Sequence, residues 1–169
     1  MNIIGHQKQW QYLKRSAESD RLAHAYLFYG PAKIGKKTLA LEFAKLLGAP
    51  TDLALVEPEA SADEGEKAVI HILQIRELKS KLFLSAIDSG YKVAIIDEAP
   101  AMTADAQSAL LKLLEEPKGK TILILLAQNL NQLLPTIVSR CQPLRFDLLP
   151  SQEIEKYLCL ILLKHLKKL

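Results

Sequence analysis

Short runs that are apolar at nearly every position alternate with stretches of helical periodicity, and this constrains the fold more than any other feature of the chain. The runs are Ala25 to Tyr29, Leu53 to Val56, Lys92 to Asp97 and Thr121 to Ala127, with a fifth candidate at Pro143 to Phe146. A strand with one wet face alternates apolar and polar residues, whereas one apolar throughout is covered on both sides. Between the runs lie helical patterns at Gln7 to Ser19, Lys36 to Leu47, Ile72 to Ala86 and Thr103 to Glu115, and one turn at Pro135 to Val138. Trp10, Leu13 and Ala17 share a face of the first helix. Leu39, Ala40, Phe43 and Leu46 share one of the second, which Gly48 stops. The pattern predicts an α/β protein: a parallel sheet joined by right-handed crossovers, with helices on both faces in three layers. A last helix begins at Ser151 and reaches Lys164, Lys167 and Lys168 beside Leu166 and Leu169, which reads as the start of a further unit.

At 169 residues the chain favours one domain with a complete core, and 49% apolar content excludes a disordered tail. The longest apolar stretch is too short to span a bilayer, and no basic start precedes an apolar run, so the expected compartment is the cytoplasm. Cys141 and Cys159 form no metal-ligand spacing, nor do His6, His24, His71 and His165. A net charge of +3 permits contact with nucleic acid without arguing for it.

The stretch GPAKIGKKTLA, from Gly30 to Ala40, nearly matches the phosphate-binding pattern G-x-x-x-x-G-K-[ST]. It comes after a predicted strand and opens a predicted helix. Gly30 and Gly35 let the backbone curl so that successive N–H groups face an anion, the helix N-terminus adds its dipole, and Lys36 can reach phosphate oxygens. Where a metal-binding hydroxyl belongs stands Lys37, and Thr38 comes one place late. The plainer reading is a glycine turn before a basic helix start. The dipole opposes that start, so two lysines there require an anion or a nearby acid.

The third run, KVAIIDE, ends in Asp97 and Glu98. Beside a phosphate loop, Asp97 suits a magnesium ion or its water, and Glu98 suits polarisation of an attacking water. Taken alone, it could equally be a strand closing in a solvated acidic turn.

The segments HAYLFYGPAKIGKKTLA, KVAIIDEAPAMTADAQSALLKLLEEP and LLPTIVSRCQPLRF together resemble the clamp-loader subunits of bacterial DNA polymerase III, in the AAA+ superfamily, and most of all the delta-prime type. The likeness runs from Ile3 to about Pro150. It implies a P-loop NTPase fold whose five-stranded parallel sheet has the order 5-1-4-3-2. Residues 1–149 would form the nucleotide-binding-type domain and 150–169 the beginning of a helical lid, with no collar domain.

The resemblance also implies roles. Ile3, Ile4 and Gly5 match the segment beside the adenine. Gly30, Gly35 and Lys36, with Lys37 and Thr38 next in the chain, match the Walker A loop. Asp97 and Glu98 match Walker B. Arg140, in Ser139-Arg140-Cys141, matches an arginine that enters the nucleotide site of a neighbouring subunit; the plainer reading of Arg140 is a surface salt bridge or a charge at a helix C-terminus. Implied partners are other clamp-loader subunits and, through the assembled ring, a sliding clamp and primer-template DNA.

The chain departs from the family pattern in three ways. Lys37 replaces the metal-binding Ser/Thr, so ATP or ADP with magnesium is expected to bind weakly and hydrolysis to be slow or lost. The sensor position at the end of the fourth strand falls at Ala127 or Gln128. Many relatives carry four cysteines of a zinc module between Walker A and Walker B, whereas Gly48 to Lys92 contains none, so no zinc site is expected. A lapsed loop beside an intact SRC motif implies a subunit that lends an arginine without hydrolysing ATP. The rival readings are an active gamma/tau-like ATPase of the same ring and a stand-alone P-loop regulator.

Overall fold

The computed structural model describes residues 5–49, 53–60, 67–83, 90–117, 119–151 and 155. Five strands, β1 (Ala25–Tyr29), β2 (Leu53–Val56), β3 (Lys92–Ile96), β4 (Thr121–Ala127) and β5 (Gln142–Arg145), form one parallel sheet in the order β2-β3-β4-β1-β5. This is the predicted order, read from the opposite edge. The helices are α1 (Gln7–Glu18), α2 (Lys36–Leu46), α3 (Ile72–Phe83), α4 (Ala104–Glu115) and α5 (Pro135–Val138). Thr103 stands just outside α4 as its N-cap, its hydroxyl accepting from Ala106 N–H at 3.3 Å. Pro143, which has no N–H to give a ladder, sits in the outermost strand β5.

Two cores lie on opposite faces of the sheet. Tyr26, Phe28, Val93, Ile95, Ile122 and Ile124 join Leu13 of α1 and Leu39, Ala40 and Phe43 of α2. Leu27, Ala94, Ile96, Leu123 and Leu125 join Ile75, Leu78 and Leu82 of α3, Leu110, Leu113 and Leu114 of α4, and Ile137 of α5. Alternate side chains of each central strand therefore feed different layers, which is why those strands contain no polar face.

Some sequence expectations are corrected. Leu46, placed on the apolar face of α2, is 46% exposed, and helical periodicity likewise fails to mark that Tyr12 of α1 is 42% and Leu73 of α3 63% exposed. Trp10 packs, as its face predicts, against the core between α1 and α2. Ile3, Ile4 and almost all of the expected lid lie outside the described residues. No helix among the described residues is long and apolar enough to cross a membrane.

Candidate phosphate-binding cleft

The carboxyl ends of β1, β3 and β4 open onto one cleft of about 480 Å³, the position where doubly wound sheets receive ligands. Its walls include Gly35, Lys36, Lys37 and Thr38 from the loop and α2, Asp97 and Glu98 after β3, and Ala127, Gln128 and Gln132 after β4. Gly30 anchors the loop to the sheet. Its N–H donates to the carbonyls of Ala127 at 3.3 Å and Gln128 at 3.2 Å, and a Cβ there would meet the Phe146 carbonyl oxygen at 2.0 Å. Gly35 is the N-cap of α2 at φ 97°, a left-handed conformation that favours glycine, and no side chain caps the helix. The first N–H groups of α2 have no partner within the helix and stand at the mouth of the cleft.

Lys36 is only 9% exposed, and its ammonium donates to the carbonyls of Gly30 at 2.7 Å and Pro31 at 2.5 Å. Burial lowers its pKa, partly opposed by the charge of Asp97. The second lysine behaves differently. Lys37 forms an ion pair with Glu57, just past β2, and a second with Asp97 Oδ2 at 3.1 Å. The hydrogen bond to Glu57, reinforced by Asp97, raises the Lys37 pKa. The other oxygen of Asp97 accepts from the Glu98 N–H at 3.0 Å, so both carboxylate oxygens are engaged.

Magnesium, which the resemblance implies, does not fit this arrangement. Its hydroxyl ligand is replaced by Lys37, and its carboxylate already holds an ammonium. Magnesium requires near-octahedral oxygen ligands, which an ammonium cannot supply and electrostatically opposes. Among the described residues no group of three or more His, Cys, Asp or Glu side chains is placed to hold a metal ion.

Thr38, though one place late, lines the cleft. Glu98 is exposed and holds φ 47°, a left-handed conformation uncommon outside glycine, as the cap of a 3-10 turn over Ala99–Ala101. Gly5 lies outside the cleft lining, and a Cβ on it would meet the Leu149 side chain at 2.1 Å. Arg140 also lies outside the lining. Its guanidinium is partly exposed and bound within its own chain, to Glu115 Oε1 at 2.9 Å and to the Thr136 carbonyl at 3.0 Å. The plainer reading of Arg140, a surface salt bridge beside a helix end, thus describes its contacts in the single chain.

Two contributors escape sequence reasoning. In the sequence Glu57 reads only as the close of β2. Its signal is that β2 and β3 are parallel neighbours in register, Val56 opposite Ile96, so the residue after one strand lies beside the residue after the other. His6 carries only a general structural expectation; it is 8% exposed and bonds through Nε2 to the Ile34 carbonyl at 2.8 Å, tying the start of α1 to the phosphate loop. Nothing in the spacing signals that contact.

Comparison with known proteins places this geometry in a family. Residues 5–150 match the family model described as "DNA polymerase III, delta subunit". The chain is 40% identical over 157 residues to DNA polymerase III subunit delta' of Pseudomonas aeruginosa, covering 80% of this chain and 45% of that protein. It is 36% identical over 164 residues to the Bacillus subtilis subunit delta', covering 85% and 48%. The chain thus spans about half the length of these curated relatives. A solved structure of a DNA polymerase III gamma subunit-related protein from Thermotoga maritima superposes with a TM-score of 0.70 at 28% identity, covering 85% of this chain and 47% of that one. Thermotoga maritima RuvB shares the fold alone, with a TM-score of 0.68 at 20% identity over 90% of this chain and 49% of that one. With the family model covering nearly all the described residues and the sheet in the AAA+ order, the chain belongs to the delta-prime branch of the DNA polymerase III clamp-loader family.

Proposed function

We propose that this chain is the AAA+ portion of a delta-prime-type clamp-loader subunit, which assembles with other clamp-loader subunits. In that ring it contributes to ATP-dependent loading of a sliding clamp onto primed DNA during replication, in the cytoplasm. Its own cleft binds a nucleoside phosphate weakly and does not turn it over. Arg140 is its contribution to the neighbouring ATPase site, where a guanidinium stabilises charge on the transferring phosphoryl group. The observation that carries the reading is the pairing of Lys37 with Asp97: the carboxylate that would hold a catalytic metal is bound by a lysine of the same chain.

Arg140 supports the donating role by its position away from its own cleft and by its partial exposure. Its bonds to Glu115 and Thr136 are surface contacts, and such pairs are weak enough to exchange for a phosphate on a partner. The gamma/tau-like reading, an active ATPase, is favoured by similarity to gamma/tau subunits and opposed by Lys37. A stand-alone P-loop regulator has the family match against it.

The test is reconstitution with purified clamp-loader subunits, measuring complex formation and ATP turnover with and without this chain. The expected result is that it joins the complex, and that Arg140→Ala joins equally well but depresses turnover at least about tenfold. A mutant ring with normal turnover refutes the arginine role. Failure to associate refutes the clamp-loader role.

A further inference from the structure

The phosphate loop carries two successive lysines with different partners. Lys36 turns inward onto loop carbonyls, where an arriving phosphate would replace Gly30 and Pro31 as acceptor. Lys37 is held on the opposite side by carboxylates from two different strand ends, Glu57 after β2 and Asp97 after β3. Together the two acids hold a long, flexible side chain against one wall of the cleft. The ammonium therefore lies at the metal-binding carboxylate while Lys37 remains part of the cleft wall.

From this we infer that Lys37 is a built-in replacement for the divalent cation, so that the cleft takes a nucleoside di- or triphosphate free of magnesium. The inference rests on reading the cleft as a phosphate site, and it reverses the usual ligand form. In a metal-dependent site the ion neutralises the phosphates and bridges them to the protein, so chelating the metal weakens binding. Here the bridging positive charge belongs to the chain. A magnesium-bound nucleotide would bring a second cation to a carboxylate that already has one, and like charges at that separation repel. Glu57 is a positioning residue: it holds Lys37 without lining the cleft.

The experiment is calorimetric titration of the whole chain with ADP and with ATP, in EDTA and in millimolar magnesium chloride. Binding should be detectable in EDTA and unchanged or weakened by magnesium. Lys37→Thr should reverse that sign, its affinity rising about tenfold or more when magnesium is added. Glu57→Gln tests the clamp: with Lys37 no longer held from the β2 side, ADP binding in EDTA should weaken severalfold while remaining indifferent to magnesium, because Lys37 still meets Asp97; tighter binding would overturn the positioning role. Circular dichroism melts of each variant separate lost binding from lost folding.

Magnesium tightening ADP binding to the unaltered chain overturns the inference. So does a folded Lys37→Thr protein that stays indifferent to magnesium, or the absence of any nucleotide binding. Absence of binding would also remove the weak-binding part of the proposed function, whereas assembly and the Arg140 role are judged separately by the reconstitution.

Discussion

Replacing Gly30 with alanine probes the contact that fixes the phosphate loop to the sheet. The new Cβ would lie 2.0 Å from the Phe146 carbonyl oxygen and 3.0 Å from its carbon. Carbon–oxygen contacts are normally at least about 3.3 Å, so the two segments must part by roughly 1 Å. Phe146 resists such movement. Its N–H donates to the Tyr29 carbonyl at 2.8 Å, its ring is fully buried, and it lies 5.1 Å from the Phe28 ring. Forcing extra volume into packed structure costs about 1–3 kcal/mol. Holding a residue with a Cβ at the strained φ of Gly30 adds about 1–3 kcal/mol. The expected loss is about 4 kcal/mol, which for a domain of this size lowers the melting temperature by about 8–16 °C. Gly48→Ala is the matched control: φ is 73°, but nothing lies within 4 Å of the new Cβ, so only conformational strain of about 1–2 kcal/mol applies. Urea unfolding monitored by far-ultraviolet circular dichroism and by Trp10 fluorescence measures both losses on one scale. Equal losses for the two variants would refute the argument that close approach to Phe146 fixes the loop.

Three further outcomes depend on single contacts. Thr103→Ala removes the hydroxyl that caps α4 and should cost about 1 kcal/mol in the same urea assay, against a few tenths for Thr103→Gly. The raised pKa of Lys37 adds stability that is fully present below the ordinary lysine value of 10.5 and is lost as pH rises through the higher folded value. Stability should therefore begin to fall as pH rises above 10.5, and Lys37→Met should flatten the alkaline limb of a pH titration of urea midpoints. Burial pushes the Cys141 thiol up to about 12, so in a Cys159→Ser background a disulfide reagent at pH 8 should label Cys141 only as fast as the chain unfolds.

Much of this architecture is legible because it is written locally. Unbroken apolar runs announce strands covered on both faces, and Gly48 and the Pro117–Gly119 segment punctuate the helices between them. Gly30 and Gly35 are readable as a loop because their roles are backbone roles, and Lys36 because its place at the helix start is set by neighbours in sequence. Asp97 and Glu98 are readable because a strand end places them at the sheet's carboxyl edge. Boundaries shift by a residue where a cap stands outside its element, as at Thr103. Burial of single residues such as Tyr12 and Leu73 is not legible, because periodicity defines a face without saying how far the neighbouring layer extends over it.

Local patterns in the chain are enough for the sheet, its two covering layers, the phosphate loop and the anomaly at Lys37. They also state that two lysines at a helix start demand compensating acids. Which acids answer them depends on the assembled sheet, because Glu57 and Asp97 become neighbours through the parallel register of β2 and β3. The same holds for Arg140, which meets Glu115 only because α4 and α5 pack together. Charge acts through distance in space, and the distances between strand ends exist only once the sheet has formed.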